Sequence, residues 1–257
     1  MTQFLRRGGK PDLAYIYTPA SGDGENLPLL MFCGGYRSDM TGTKAQFLES
    51  KCRERGQAYL RFDYSGHGQS GGAFEDGTIS IWRDDALAVL DHVNPDRKPV
   101  MLIGSSMGGW IALLIAAARA RQITALIGIA AAPDFSKNFD VPHITPAQQA
   151  SLEEKGYYEL PNDYSDEPYI VTKALLEDGA KNFLLGKKHS LPFPIHLLQG
   201  RQDASVPEQT ALDIQAAFGS ENVGITFIDD GDHSLSRPQD LEILDTCVKN
   251  FISGGSL

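Results

Sequence analysis

The chain has 257 residues, 42% of them hydrophobic and 22% charged, which is long enough to bury a full core as one α/β domain. Its 33 acidic against 23 basic residues give a formal charge of -10. That sign favours solubility and repels phosphate backbones and anionic membrane surfaces, so nucleic acid is not an expected partner.

The opening "MTQFLRRGGKPDL" lacks the apolar core of a secretory signal, and the longest apolar run, "WIALLIAAA", is far short of the roughly 18 residues of a membrane span. A soluble, cytoplasmic protein without stable membrane insertion is expected. Buried strands are predicted over 13–19, 27–34 and 57–64. A helix over 43–56 places Ala45, Leu48, Cys52 and Arg55 at helical spacing and stops on Gly56. A second helix over 79–93 sets Ile81, Asp85, Ala88 and Val89 on one side, ahead of Pro95. Next come a strand over 99–105, a helix over 109–120 and a strand over 124–131.

From 133 to 192 the alternation fails. This segment holds Phe135, Phe139, Tyr157, Tyr158, Tyr164, Tyr169 and Phe183, several prolines and no convincing strand. Structureless loops of that length are uncommon in compact domains, so the segment is expected to be an inserted lid with helices of its own. Strands over 194–200 and 223–229, with a helix over 208–219 between them, resume the pattern, and "SGGSL" ends as a frayed tail. The whole reads as a single domain over 1–257, a mostly parallel sheet flanked by helices, with the lid at 133–192. Cys33, Cys52 and Cys247 form an odd set without C-x-x-C or Cys/His ligand spacing, so they read as reduced core thiols, and no metal site is implied.

Two stretches match G-x-S-x-G: Gly104-Ser105-Ser106-Met107-Gly108 and Gly68-Gln69-Ser70-Gly71-Gly72. A nucleophile elbow needs a buried strand, a strained residue and then a helix. Only Ser106 has that setting, with "VMLI" before it and "GWIALLIAAARA" after it, whereas Ser70 is followed by glycines and a polar stretch. Ser105 caps or packs. A serine hydroxyl is a poor nucleophile near pH 7 and needs a base held by an acid. Among six histidines, His92, His143, His189 and His196 suit surface or packing roles, and His67 lies in a Gly-rich turn. His233, in "FIDDGDHSLS" after the last strand, can reach the C-terminal sheet edge where parallel sheets bind ligands. The acid is taken as Asp203, which follows the strand "PIHLLQG"; the alternatives are a mere turn role for Asp203, or Asp229, Asp230 or Asp232 beside the histidine. Donors to the oxyanion are expected from the backbone N–H of Met107 and, through the close-approaching "GGY" loop, of Tyr36.

This order resembles the α/β-hydrolase fold. "GGYRSDMTGTKA", "LRFDYSGHGQSGG", "WRDDALAVLD" and "IGSSMGGW" resemble the branch that contains a mitochondrial acyl-protein thioesterase, also described as an acyl-glucuronide esterase. The resemblance covers roughly residues 10 to 250 and includes the lid piece "EKGYYELPNDYSDEPY". It implies that Ser106, Asp203 and His233 match the family's triad and that the chemistry is hydrolysis of carboxylic esters or thioesters. The opening residues do not read as an Arg-rich, Ser-rich leader, so neither the location nor the physiological substrate of those relatives is expected to carry over. The expected activity is a cofactor-independent serine esterase or thioesterase acting on a small-molecule or acylated-protein substrate. Tyr157 and Tyr158 are expected to face the acyl group. A C–C bond hydrolase or lyase on the same triad, or a non-catalytic ligand-binding relative, is the alternative.

Overall fold

The computed structural model describes residues 1–140, 143–161 and 168–254. The chain opens with β1 (Gln3–Arg7), β2 (Lys10–Thr18) and β3 (Leu29–Cys33), followed by α1 (Thr43–Glu54), β4 (Tyr59–Phe62) and α2 (Ile79–Val93). After β5 (Val100–Ser105), α3 (Met107–Ala118) and β6 (Ile123–Ile129), an inserted stretch carries α4 (Pro146–Lys155), β7 (Tyr157–Leu160), β8 (Tyr169–Thr172) and α5 (Lys173–Lys181). The chain closes with β9 (Ile195–Gly200), α6 (Glu208–Phe218), β10 (Val223–Ile228) and α7 (Pro238–Ile252).

Eight strands form one sheet in the order β1-β2-β4-β3-β5-β6-β9-β10. β1, β2 and β4 pair antiparallel, and every pair from β4 to β10 is parallel. All seven strands read from the sequence are present. They were legible because a central parallel strand is covered on both faces and so reads as a continuous apolar run. In β3, for example, Leu29, Met31 and Cys33 join the core under α2, α3 and α6, while Leu30 and Phe32 join the core under α1 and α7. The order reverses at β3, which has β4 on one side and β5 on the other. The connections leaving β3, toward β4, and β5, toward β6, diverge there and open a crevice at the carboxyl ends of those strands.

Three expectations need correction. β1 was not foreseen, because Gln3–Arg7 is a largely exposed edge strand with polar residues and no apolar alternation. The segment over 133–192 has the expected helices but also a two-stranded antiparallel sheet, β7 with β8, whose four-residue strands are too short to show a period. In α2 the buried side is Ile79, Trp82, Asp85, Ala86, Val89 and Leu90, whereas Ile81 is 41% exposed. Asp85 and Val89 lie on that side as expected, the carboxylate held by Arg7 at 2.6 Å and by the Ser65 amide at 2.8 Å, but Trp82 and Ala86 take the inner places assigned to Ile81 and Ala88.

The inserted segment is closed at its base by buried Asp134, whose carboxylate accepts the amides of Leu184 at 2.8 Å and Leu185 at 3.0 Å. Tyr164 of the expected lid aromatics and the last three residues of the tail lie outside the described residues. Cys33, Cys52 and Cys247 are free and buried, and burial pushes the thiols of Cys33 and Cys52 up to about 12. Among the described residues no helix is long and apolar enough to cross a membrane.

Candidate active site

Ser106 stands between β5 and α3 with φ 54° and ψ -121°, a strained backbone that a side-chain-bearing residue adopts only when its surroundings hold it there. Three main-chain bonds do so: the Ser106 N–H donates to Ile129 O, and its carbonyl accepts from Gly109 and Ala132. The flanking glycines are required by close approach. A Cβ on Gly104 would lie 2.2 Å from Gly108 O, and one on Gly108 would lie 2.1 Å from Cys33 O.

The His233 ring, in the loop after β10, has Nδ1 at 2.8 Å from Asp203 Oδ2 and Nε2 at 3.1 Å from Ser106 Oγ. A carboxylate only accepts, so Nδ1 carries the hydrogen, and Nε2 is left to accept the Ser106 hydroxyl proton. Asp203, in the turn after β9, also accepts the amides of Ser205 and Val206 on Oδ1, each at 2.8 Å. Burial opposes its charge, but the bond to His233 and these amides outweigh it and hold the carboxyl below the usual range. The rival aspartates are engaged elsewhere: Asp229 with Arg201, Asp230 with Arg237, and Asp232 capping the Leu235 amide.

Met107 opens α3, where first-turn amides have no intrahelical acceptor. The loop after β3 runs against the serine, so that a Cβ on Gly35 would stand 3.5 Å from Ser106 Cβ. Among the described residues neither the Met107 nor the Tyr36 N–H donates to a protein acceptor. Met107 and Tyr36 both line the cavity that holds Ser106.

That cavity, about 870 Å³, is bordered from the inserted segment by Phe135, Phe139, Leu160, Pro161, Tyr169 and Val171, and on the α1 side by Arg37, Asp39, Thr43 and Lys44. Tyr157 and Tyr158 do not border it, which corrects the sequence reading. Successive residues of a strand face opposite ways: Tyr157 points outward, 36% exposed, while Tyr158 is buried with Leu152, Val171 and Leu176 and donates its hydroxyl to Phe139 O. Phe183 instead stacks on Trp110. Ser70 is a structural residue whose Oγ accepts the Ala14 N–H and donates to Asp63 O. Ser105 is the buried last residue of β5.

Of the other histidines, His92 meets the Tyr15 hydroxyl, His189 stacks on Phe218, and His196 meets Thr226 Oγ1. Of two further residues near the site, Lys44 escaped the sequence reading and His67 was placed there only in a Gly-rich turn. Lys44 donates to Ser234 O and, at 3.2 Å, to Ser236 Oγ, tying α1 to the residues after His233. Burial brings its ammonium down to about 8 against the pull of Asp232 and Asp240. His67 borders the cavity from the turn after β4. Neither bears a motif signal, because both act on backbone atoms distant in sequence. Among the described residues no group of three or more His, Cys, Asp or Glu is placed to hold a metal ion.

Residues 27–158 match the family described as serine aminopeptidase, S33. The palmitoyl-protein thioesterase ABHD10, mitochondrial, of Mus musculus is 35% identical over 251 residues, covering 97% of this chain and 82% of the relative. A solved structure of mouse alpha/beta hydrolase domain-containing protein 10 superposes with a TM-score of 0.88 at 33% identity, covering 99% of both chains. A crystal structure from Agrobacterium vitis S4, whose description goes no further than hydrolase, gives a TM-score of 0.91 at 40% identity over 98% of both chains.

Proposed function

The chain belongs to the serine aminopeptidase S33 family of α/β-hydrolases, and from that premise we propose that it cleaves carboxylic esters or thioesters through an acyl-enzyme on Ser106. The observation that carries this reading is the continuous pair of bonds Ser106 Oγ to His233 Nε2 at 3.1 Å and His233 Nδ1 to Asp203 at 2.8 Å, assembled from three separate loops. Ser106 attacks the acyl carbon as His233 takes its proton, and Asp203 fixes the ring and stabilises the imidazolium. The amides of Met107 and Tyr36 receive the oxyanion. His233 returns the proton to the leaving oxygen or sulfur, then activates the water that releases the acid.

An acyl chain would lie along the side of the cavity that Phe135, Phe139 and Leu160 border. Relatives named as palmitoyl-protein thioesterases support a long chain. Both small-molecule and acylated-protein leaving groups remain within the proposal, and no cofactor enters it. A panel of p-nitrophenyl esters and acyl thioesters tests it: kcat/KM is expected to rise with chain length by at most about 0.8 kcal/mol per buried CH₂ until the pocket is full. A flat profile would remove the acyl-pocket reading. Product analysis separates hydrolysis from C–C cleavage on the same residues, and active-site labelling separates it from a non-catalytic binder. The cytoplasmic placement gains no support from relatives named as mitochondrial; cell fractionation decides it.

A further inference from the structure

The second G-x-S-x-G stretch, "GHGQSGG", is not a nucleophile site, yet its turn reaches the loop that carries Tyr36. We propose that His67 is a positioning residue for the oxyanion donors, its Nε2 accepting the Arg37 N–H and thereby aiming the adjacent Tyr36 N–H at the substrate carbonyl. This rests on the reading of Ser106 as nucleophile. Arg37 has φ 56°, a left-handed conformation that a non-glycine residue keeps only when it is held. His67 Nε2 lies 3.3 Å from Arg37 N, and Nδ1 lies 3.3 Å from Ser65 O. A carbonyl only accepts, so Nδ1 carries the hydrogen and Nε2 is the bare acceptor. Trp82, Phe74 and Tyr64 box the ring in, with centroids at 5.2, 5.1 and 5.5 Å. Burial brings its pKa down to about 4, which keeps the acceptor unprotonated in neutral solution.

The same turn grips the loop a second time. Asp63 accepts the amide of Met40 at 2.6 Å and of Gln69 at 2.8 Å. Gly68, at φ 46°, has no room for a Cβ, which would lie 2.3 Å from Asp63 Oδ2. The loop after β3 is therefore held at Arg37 and at Met40 from one compact turn, with the Tyr36 amide beside the first hold.

His67→Phe keeps a ring of similar size and removes the acceptor, whereas His67→Gln can place an amide oxygen near the same point. For the folded His67→Phe protein, kcat on a p-nitrophenyl ester is expected to fall about 10- to 100-fold, less than outright loss of an oxyanion donor, with KM within about twofold. Affinity for an alkyl trifluoromethyl ketone, whose serine adduct bears an oxyanion, should fall by the same factor, while affinity for the fatty-acid product stays unchanged. His67→Gln should recover part of the loss. An unchanged kcat, an equal loss for ketone and fatty acid, or a His67→Gln enzyme no better than His67→Phe overturns the inference. ¹⁵N-histidine spectra of the unmodified enzyme supply a variant-free check: His67 must show a protonated Nδ1 and a bare Nε2, and the opposite tautomer contradicts the inference. If Ser106→Ala also retains turnover, the nucleophile reading fails; if Ser106→Ala is inactive and His67→Phe is unaffected, only the present inference fails.

Discussion

The carboxyl edge of the sheet and the inserted segment meet over one cavity but are held in different ways. At the edge, main-chain groups hold two of the proposed reacting residues, Ser106 through Ile129, Gly109 and Ala132, and Asp203 through the amides of Ser205 and Val206, and Asp203 in turn holds His233. The inserted segment rests on side chains. Its own small core is Leu152, Tyr158, Val171 and Leu176. It meets the sheet edge through the Tyr36 hydroxyl on Ile170 O, Arg37 on Pro168 O and the Trp110 N–H on Asn182 O. On the proposed function, the difference teaches that bond-making geometry belongs to the carboxyl edge of the sheet, while the shape presented to an acyl group belongs to side chains that can be exchanged without moving it.

The sharpest way to break this division is to remove the groups at the edge. Ser106→Ala is expected to cost on the order of 10⁴ to 10⁶ in kcat, while Ser70→Ala and Ser105→Ala retain most turnover in the same ester assay. Asp203→Asn should follow, with a loss of about 10⁴ in kcat and little change in KM. Near-silent behaviour of Asp203→Asn beside a crippled Asp230→Asn or Asp232→Asn would move the acid elsewhere.

A pH effect on stability comes next. His67 titrates near 4 in the folded protein against an ordinary value near 6.5, so between those values the unfolded chain binds more protons and stability falls as pH falls. The contribution is intact above about pH 6.5 and gone below about pH 4, and is on the order of 3 kcal/mol. Urea midpoints measured at pH 7 and pH 5 should converge in His67→Phe relative to the unmodified protein. An equally steep acid limb in both would assign the effect to other groups.

The smallest expected effect sits in the inserted segment. Phe139→Ala or Leu160→Ala should lower kcat/KM for long-chain esters by roughly 1 to 2 kcal/mol and leave acetyl esters nearly untouched, while Tyr157→Ala is silent. Equal losses on short and long chains would erase the distinction between the two regions.

The same contrast decided what the sequence could reveal. Val100–Ser105 is buried throughout and announced itself as an apolar run, and the glycines around Ser106 are there because backbone atoms approach them, so the elbow was legible from residue types alone. His233 and Asp203 followed from chain order and their places after strands. The hairpin β7–β8 was not legible, since four residues per strand give no usable period, and Tyr157 and Tyr158 were assigned to the cavity on aromatic content where the pleat sends one outward and the other into the local core. Lys44 and Asp63 went unread, and His67 was read only as part of a Gly-rich turn, for another reason: they hold main-chain atoms, and no residue pattern at the receiving end records such a bond.

The central claim is that Ser106 is the activated nucleophile. Stoichiometric labelling with a fluorophosphonate, followed by peptide mapping, tests it most directly. One equivalent on Ser106, absent from a folded Ser106→Ala protein, is the expected result; a label on Ser70 or Ser105, or no label on an enzyme that still hydrolyses esters, contradicts it.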